Sequence, residues 1–215
     1  LMGRDLAALE ETAAQLDGAR TVRCDVADPA QVEDAFAQAI AAFGPVAVLV
    51  NNAGIATSAP FAKLTRAEFQ RVLEINLLGA FACAQAALGG MLAAGWGRIV
   101  NVASTAGLQG HPYITAYAAS KHALVGLTRC LGLELAGRGV TVNAVCPGYT
   151  DTAMARQAIE TVVHKTGRSE GEAKAMIVRD NPQGRLIAPE EVAEAVAWLC
   201  SPEAGGVTGE AIQIA

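Results

Sequence analysis

The stretch VAVLVNNAG, residues 46–54, decides the fold. Its first five residues are all apolar, which predicts a short strand that is buried on both faces. Asn51, Asn52 and Gly54 are turn-forming residues, so the strand should stop there. Strands that are apolar throughout are typical of a parallel sheet covered by helices on both sides.

The same alternation extends outward in both directions. We predict further strands at 21–24, 97–104, 139–147 and 210–215, and helices at 5–16, 29–43, 66–94, 114–136 and 189–200. Asp28 can cap the helix at 29–43, and the long helix at 66–94 is expected to bend near Gly79. Strands separated by helices predict an α/β fold with three layers, a doubly wound parallel sheet in one domain over 1–215.

One long interruption, residues 149–188, breaks the alternation. Ser169 and Glu172 form a capping-box pattern inside it, so at least one helix is expected there. Long insertions in compact domains tend to be functional, and we interpret this one as a lid over a site. A surface helical excursion is the alternative.

The composition excludes several classes of function. The chain has 215 residues, 52% of them hydrophobic, a net charge of −5 and no basic block, so we expect no nucleic-acid partner. Charges or turn residues interrupt the apolar runs, and we predict no membrane span. The five cysteines form no CxxC pair, which favours free thiols in a reducing cytoplasm. The three histidines lack ligand spacing, so no metal site is expected.

Polar residues follow several of the predicted strands. Ligands of doubly wound sheets bind beyond the carboxyl ends of the strands, and this rule selects 52–54, Ser104 and 147–149. Tyr117 and Lys121 open the helix after Ser104 and share one helical face. The ammonium group would lower the pKa of the phenol, which could then exchange a proton with an alcohol or a ketone. The alternative is a solvent-exposed pair.

The spacing of these groups is specific when they are taken together. They are Asn51-Asn52-Ala53-Gly54, Asn76, Ser104 with Tyr117 thirteen residues later, Lys121 after a further four, and Pro147-Gly148 with Thr152. The chain resembles a classical short-chain dehydrogenase/reductase (SDR) with a Rossmann-like sheet, over most of its length. GRIVNVAST and ASKHALVGLT are similar to segments of 3-oxoacyl (ketoacyl) reductases and hydroxyacyl dehydrogenases.

The resemblance assigns catalytic roles to four residues. Tyr117 would be the general acid in reduction and the general base in oxidation. Lys121 would lower the pKa of Tyr117 and bind the nicotinamide ribose. Ser104 would donate a hydrogen bond to the substrate oxygen, and Asn76 would hold a water on a proton path to Lys121. Without such roles, Ser104 is a strand-end hydroxyl and Asn76 satisfies a helix kink.

The resemblance also implies a nicotinamide cofactor. Its contacts would be Asp25 and Val26 at the adenine, Asn52, Ala53 and Gly54 along the adenine ribose, Tyr117 and Lys121 at the nicotinamide ribose, Pro147 and Gly148 against the nicotinamide, and Thr152 near the carboxamide or the phosphates. Arg4 follows Gly3, where NAD-preferring relatives carry an acidic residue, so NADP is favoured. NAD stays open if Arg4 merely stacks on the adenine.

The family's glycine-rich phosphate loop would lie upstream of Leu1, so the resemblance implies a preceding βα unit that this sequence lacks. We predict an NAD(P)-dependent enzyme that interconverts a secondary alcohol and a ketone. Its substrate would be a 3-oxoacyl or 3-hydroxyacyl thioester or a small hydroxy acid. The alternative is a catalytically silent nucleotide-binding scaffold. We expect a homotetramer or homodimer whose contacts use the alanine- and leucine-rich helices at 66–94 and 114–136.

Overall fold

The predicted alternation of strands and helices is present along the chain, of which the computed structural model describes residues 1–215. The strands are β1 (Met2–Gly3), β2 (Val22–Arg23), β3 (Val48–Asn51), β4 (Gly97–Val102), β5 (Val140–Pro147) and β6 (Ala211–Ile214). The α-helices are α1 (Leu6–Ala13), α2 (Pro29–Phe43), α3 (Arg66–Leu73), α4 (Gly79–Ala94), α5 (Thr115–Leu135), α6 (Ala153–Thr166), α7 (Glu170–Val178) and α8 (Pro189–Cys200). Short 3-10 turns cover Phe61–Lys63, Thr105–Gly107, Ala136–Arg138 and Pro202–Ala204.

All strand pairs are parallel. β1 pairs with β2, and a second ladder runs in the order β3-β4-β5-β6. Its register pairs Val50 with Val100 and Val100 with Asn143. The parallel Rossmann-like sheet flanked by helices is therefore confirmed. The predicted βα unit upstream of Leu1 stays a prediction.

The strand β5 shows how the layers are built. Val142 packs in a core cluster with residues of α2 and α4, and Ala144 packs with residues of α5. Val145 points to the other face and packs against Leu199 of α8. Successive side chains of a strand alternate between faces, so one buried strand supports a helical layer on each side.

The segment predicted as one helix at 66–94 contains a wider turn. A π-helical turn, Glu74–Leu78, separates α3 from α4, and the predicted bend lies just before Gly79. A Cβ at Gly79 would lie 2.7 Å from the Val26 side chain, so only glycine fits there. Judged only by its length and mean hydropathy (1.7), Arg66–Ala94 is long and apolar enough to cross a membrane. This differs from the prediction of no membrane span. Met91 of this segment is fully buried in the main core.

The insert at 149–188 forms two helices, α6 and α7. Ser169 and Glu172 cap α7 reciprocally, as predicted. The two helices share a small apolar cluster built on Ile159, Ala173 and Ile177. A parallel bridge between Thr150 and Ile187 joins the two ends of the insert. The insert is therefore a folded helical pair with a fixed base. We call residues 149–188 the lid below, although their covering a site stays a prediction.

Candidate active site

Ser104, Tyr117 and Lys121 meet at the carboxyl end of β4. Ser104 follows the strand, and its Oγ accepts a hydrogen bond from the Ala106 N–H at 3.1 Å. Tyr117 and Lys121 lie in the first two turns of α5, where Tyr117 is partly buried and Lys121 is only 4% exposed. The Lys121 Nζ lies 5.8 Å from the centre of the Tyr117 ring. The two side chains are therefore packed together inside the protein, and the solvent-exposed alternative is wrong.

The electrostatics of this pair correct one expectation. Burial raises the pKa of Tyr117, and a hydrogen bond with the Ser104 side chain opposes the rise. Burial also lowers the pKa of Lys121 to about 8. The Lys121 Nζ donates to the Val102 carbonyl at 2.7 Å. We expected Lys121 to lower the pKa of Tyr117, but desolvation of the phenolate outweighs any such effect here.

Asn76 lies in the π-helical turn, a type of turn that is frequent at functional sites. Its Oδ1 accepts from the Ile55 N–H at 2.8 Å, and its Nδ2 donates to the Ile55 carbonyl at 2.9 Å and to Ser120 Oγ at 3.0 Å. Ser120 Oγ in turn donates to the Tyr117 carbonyl at 2.7 Å. Asn76 therefore ties the loop after β3 to the catalytic helix.

The three residues after β3 that were predicted to contact the cofactor differ in their exposure to solvent. A Cβ at Gly54 would lie 3.4 Å from Asn76 Oδ1 and 3.5 Å from Lys121 Nζ, so the Gly54 backbone lies beside the catalytic lysine. Asn52 and Ala53 are exposed just beyond the end of β3. Gly54 therefore lies within the site, whereas Asn52 and Ala53 are exposed to solvent.

The end of β5 forms the wall of the site next to the lid. Pro147 pairs with Ile214 of β6, and a Cβ at Gly148 would overlap the side chain of Asn181. Burial raises the pKa of the next residue, Tyr149, with smaller contributions from Asp180 and Tyr117. The Tyr149 side chain at the end of β5 is therefore near enough to Asp180 and Tyr117 for their charges to affect it.

Thr152 lies at the start of the lid. It precedes the first residue of α6, and its Oγ1 donates to the Thr150 carbonyl at 3.3 Å. Its predicted position near the cofactor stays a prediction.

An open cavity of about 760 Å³ lies at the end of β1 and β2. Its lining residues are Arg4, Asp5, Leu6 and Arg23. Arg4 was predicted, but Arg23 was missed. The available signal was its position two residues before Asp25 at the end of a predicted strand. Two guanidinium groups against the single carboxylate of Asp5 leave the mouth with a net positive charge, which suits a phosphate group.

Asp25 and Val26 follow β2 at the same end of the sheet. The Asp25 carboxylate accepts from the Ala27 N–H at 3.0 Å and lies 3.5 Å from the Arg71 guanidinium. Asp25 is thus already held in place beside the cavity mouth, and one carboxylate oxygen is shared with Arg71. Val26 packs against Gly79 at the start of α4.

Two further residues lie in the loop before α5. Tyr113 is the one non-glycine residue with a positive φ (69°), and such backbone strain is often found at functional sites. His111 Nδ1 lies 3.6 Å from Asp180 Oδ2, so this loop contacts the end of the lid. Sequence analysis had assigned His111 no role. No group of three or more His, Cys, Asp or Glu residues with metal-binding geometry is present.

Comparison with known proteins agrees with this site. A family model described as "Enoyl-(Acyl carrier protein) reductase" matches residues 2–215. Together with the fold and the packed Tyr117–Lys121 pair, the match defines the chain as an oxidoreductase that acts on CH–OH groups. The chain belongs to the short-chain dehydrogenase/reductase family, which confirms the resemblance seen in its sequence.

Three similar proteins illustrate the relationship. A provisionally named ketoacyl reductase of Streptomyces coelicolor is 45% identical over 208 residues, which are 96% of this chain and 78% of that protein. The acetoacetyl-CoA reductase of Rhizobium meliloti is 39% identical over 92% of this chain and 78% of its own length. The crystal structure of a variant of the actinorhodin polyketide ketoreductase with NADPH superimposes with a TM-score of 0.94 at 42% identity, covering 99% of this chain and 84% of that one.

Proposed function

We propose that this protein reduces the ketone of a 3-oxoacyl thioester to a secondary alcohol with NADPH, and that it can catalyse the reverse oxidation. The observation that carries the proposal is the packed Tyr117–Lys121 pair beside Ser104, at the carboxyl edge of a parallel sheet. This arrangement offers one group to move a proton, one to place a positive charge and one to hold the substrate oxygen.

The chain's own residues account for the protonation step. Burial keeps the pKa of Tyr117 above its ordinary value, so the phenol is protonated at neutral pH and can give its proton to the carbonyl oxygen. Ser104 can donate to the same oxygen and stabilise the charge that develops there. With a pKa of about 8, Lys121 is mostly an ammonium at neutral pH and supplies a positive charge beneath the phenol.

A bound nicotinamide would supply the hydride, and the residues present fit such a cofactor. Gly148 leaves no room for a side chain beside Asn181, and the Gly54 backbone lies beside Lys121, so backbone would line the place of the ring. Arg4 and Arg23 at the basic mouth support NADPH over NADH, since two guanidinium groups can bind a 2′-phosphate. The ketoreductase of similar structure was solved with NADPH.

The substrate class rests on the names of relatives and on the lid. Two relatives are named a ketoacyl reductase and an acetoacetyl-CoA reductase. The lid cluster built on Ile159 is buried and packs against Tyr149. Met154 and Met176 on the two lid helices are exposed, so the lid offers apolar surface. An acyl chain suits such a surface better than a small hydroxy acid does. A panel of 3-oxoacyl thioesters and small oxo acids, assayed with NADPH and NADH, discriminates the two.

Replacing Tyr117 tests the proposed chemistry. In the full chain, we expect Tyr117→Phe to lower kcat for ketone reduction by about 10²- to 10⁴-fold, because the proton donor is lost while the ring remains. Tyr113→Phe is the matched control, since Tyr113 lies four residues earlier and is 62% exposed. Turnover of Tyr117→Phe equal to that of Tyr113→Phe would contradict the assignment. A silent nucleotide-binding scaffold would bind NADPH without turnover in any variant.

We also propose a homotetramer or homodimer formed through α4 and α5 in a reducing cytoplasm, where the five cysteines stay free as in the structure. On these alanine- and leucine-rich helices, Ala80 and Leu124 are buried in the core and cannot form the contact. Other apolar side chains on or next to these helices are exposed: Leu78, Phe81 and Leu133. Leu133 is 81% exposed, so Leu133→Glu should dissociate the oligomer in sedimentation experiments. A wild-type monomer would contradict this proposal.

A further inference from the structure

Asn181 is a buried asparagine of the insert that lies three residues beyond the end of α7 and is 2% exposed. Its Oδ1 accepts from the Tyr149 N–H at 2.9 Å. Its Nδ2 donates to the Tyr149 carbonyl at 2.9 Å and to the Arg185 carbonyl at 2.7 Å. One amide therefore binds both polar backbone groups of Tyr149 and joins them to the segment where the lid returns to the sheet.

The same pattern occurs on the opposite side of the site. Asn76 binds the N–H and the carbonyl of Ile55, as Asn181 binds those of Tyr149. In both cases the side-chain amide replaces a neighbouring strand at a point where the chain leaves the sheet. The two asparagines thus fix the two backbone segments that border the catalytic helix.

Gly148 links the hydrogen bonds of Asn181 to the site, because it contacts the Asn181 side chain. A Cβ at Gly148 would overlap Asn181 Oδ1, so the two residues are in direct contact. Gly148 N also donates to the Ile214 carbonyl at 2.9 Å, and Tyr149 O also accepts from the Ile187 N–H at 3.0 Å. The Tyr149 N–H has only Asn181 as its partner. Loss of the amide therefore leaves the Tyr149 N–H without a partner and removes one of the two hydrogen bonds to its carbonyl, so this end of the wall is held less firmly.

We propose that Asn181 is a positioning residue for the reductase reaction. It acts through Gly148 and Tyr149, whose backbone it holds next to Tyr117 and against the place of the nicotinamide. The inference rests on the proposed function, because it gives the lid's end a role in aligning the reacting groups. A displacement of about 1 Å at such a wall is enough to lower the rate about 100-fold.

The test compares Asn181→Ala with the wild-type full chain. We expect kcat/KM for the ketone to fall about 10- to 100-fold, with the effect mainly in kcat, while the dissociation constant of NADPH, measured by its fluorescence, changes less than about threefold because the adenosine end binds elsewhere.

The matched control is Asn143→Ala. Asn143 is also fully buried on β5, accepts from the Glu210 N–H at 3.1 Å and donates to the Val207 carbonyl at 2.8 Å, but it lies away from the site. We expect this variant to lower Tm while leaving kcat/KM of the folded protein near the wild-type value. A merely structural asparagine at 181 would behave in the same way, and that result would overturn the proposal.

Gly148→Ala provides a second, coupled measurement. Alone, it should lower kcat/KM severely, because the new methyl group overlaps Asn181. In the Asn181→Ala background the overlap with the amide is gone and only the Ala215 Cβ, at 3.0 Å, stays close, so the same change should cost less. Residues in contact show such non-additive effects. Additive losses would overturn the proposal. If instead wild-type and Tyr117→Phe proteins are equally inactive, the proposed function has failed, and this inference fails with it.

Discussion

The two parts of the sheet hold their functional side chains in different ways. β1 and β2 pair over two residues each, and the adjacent α1 buries none of its side chains. β5 is buried over nearly its whole length. Lys121 and Asn76 of the four-stranded part are buried and hydrogen-bonded to backbone, whereas Arg4 and Arg23 of the two-stranded part are exposed. We therefore expect the chemistry to depend on fixed groups and nucleotide recognition to depend on accessible charge.

Among the substitutions that test this contrast, we expect the largest effect at Lys121. Lys121→Met should lower kcat about 10²- to 10³-fold, since a charge next to the reacting groups is removed. NADPH binding should weaken by a smaller factor, through loss of the predicted contact with the nicotinamide ribose. His122→Ala is the matched control, because His122 is the exposed neighbour on the helix. A large loss of NADPH affinity with normal kcat would place Lys121 in nucleotide recognition instead.

The pH dependence of kcat in the wild-type protein should report the loss of the Lys121 charge. Lys121 has a pKa of about 8, so its positive charge is present below that pH and lost as the pH rises through it. Burial keeps the Tyr117 phenol protonated over this range. We expect kcat for reduction to fall above pH about 8. In Lys121→Met this fall should be absent, and its persistence would contradict the assignment.

At the two-stranded part of the sheet we expect a smaller effect, on NADPH binding and not on kcat. Arg4→Gln and Arg23→Gln should each weaken NADPH binding about 10- to 100-fold, since hydrogen bonds to charged groups are worth about 1.5–3 kcal/mol. Binding of NADH and kcat at saturating NADPH should hardly change. Arg20→Gln is a control, because its guanidinium stacks on Phe43 outside the cavity. Equal weakening for NADPH and NADH would remove the proposed 2′-phosphate contact.

The smallest effect is expected where the lid meets the loop before α5. Asp180→Asn removes the charge that faces His111, and the partly exposed pair should contribute about 1 kcal/mol at most. We expect KM for the ketone to rise less than about fivefold with kcat unchanged. A large fall in kcat would mean that this contact, as well as Asn181, aligns the site.

Most of the fold was predictable because its signals are local. Apolar strands and capped helices are encoded within a few neighbouring residues, and helix α2 has the predicted bounds and its Asp28 cap. The helix at 66–94 was predicted only in part. Its wider turn depends on how Asn76 and Gly79 contact Ile55 and Val26, which are distant in sequence.

The candidate site was predictable to the extent that spacing and strand ends determine it. Tyr117 and Lys121 had to share a helical face, and Ser104 had to lie at the end of β4. Arg23 was missed because a lone arginine in a short strand carries no local signal. His111 and Asp180 were missed because they are 69 residues apart and meet only through folding.

The sequence by itself determined the parallel α/β architecture, the family and the pairing of Tyr117 with Lys121 on one helical face, since periodicity and spacing are properties of a short stretch of chain. Only the tertiary structure decided the direction of the Tyr117 pKa, the basic mouth of Arg4 and Arg23, and the contact of Asn181 with Gly148. The physical reason is that desolvation and close contact depend on which distant segments surround a group, and spacing along the chain does not specify them.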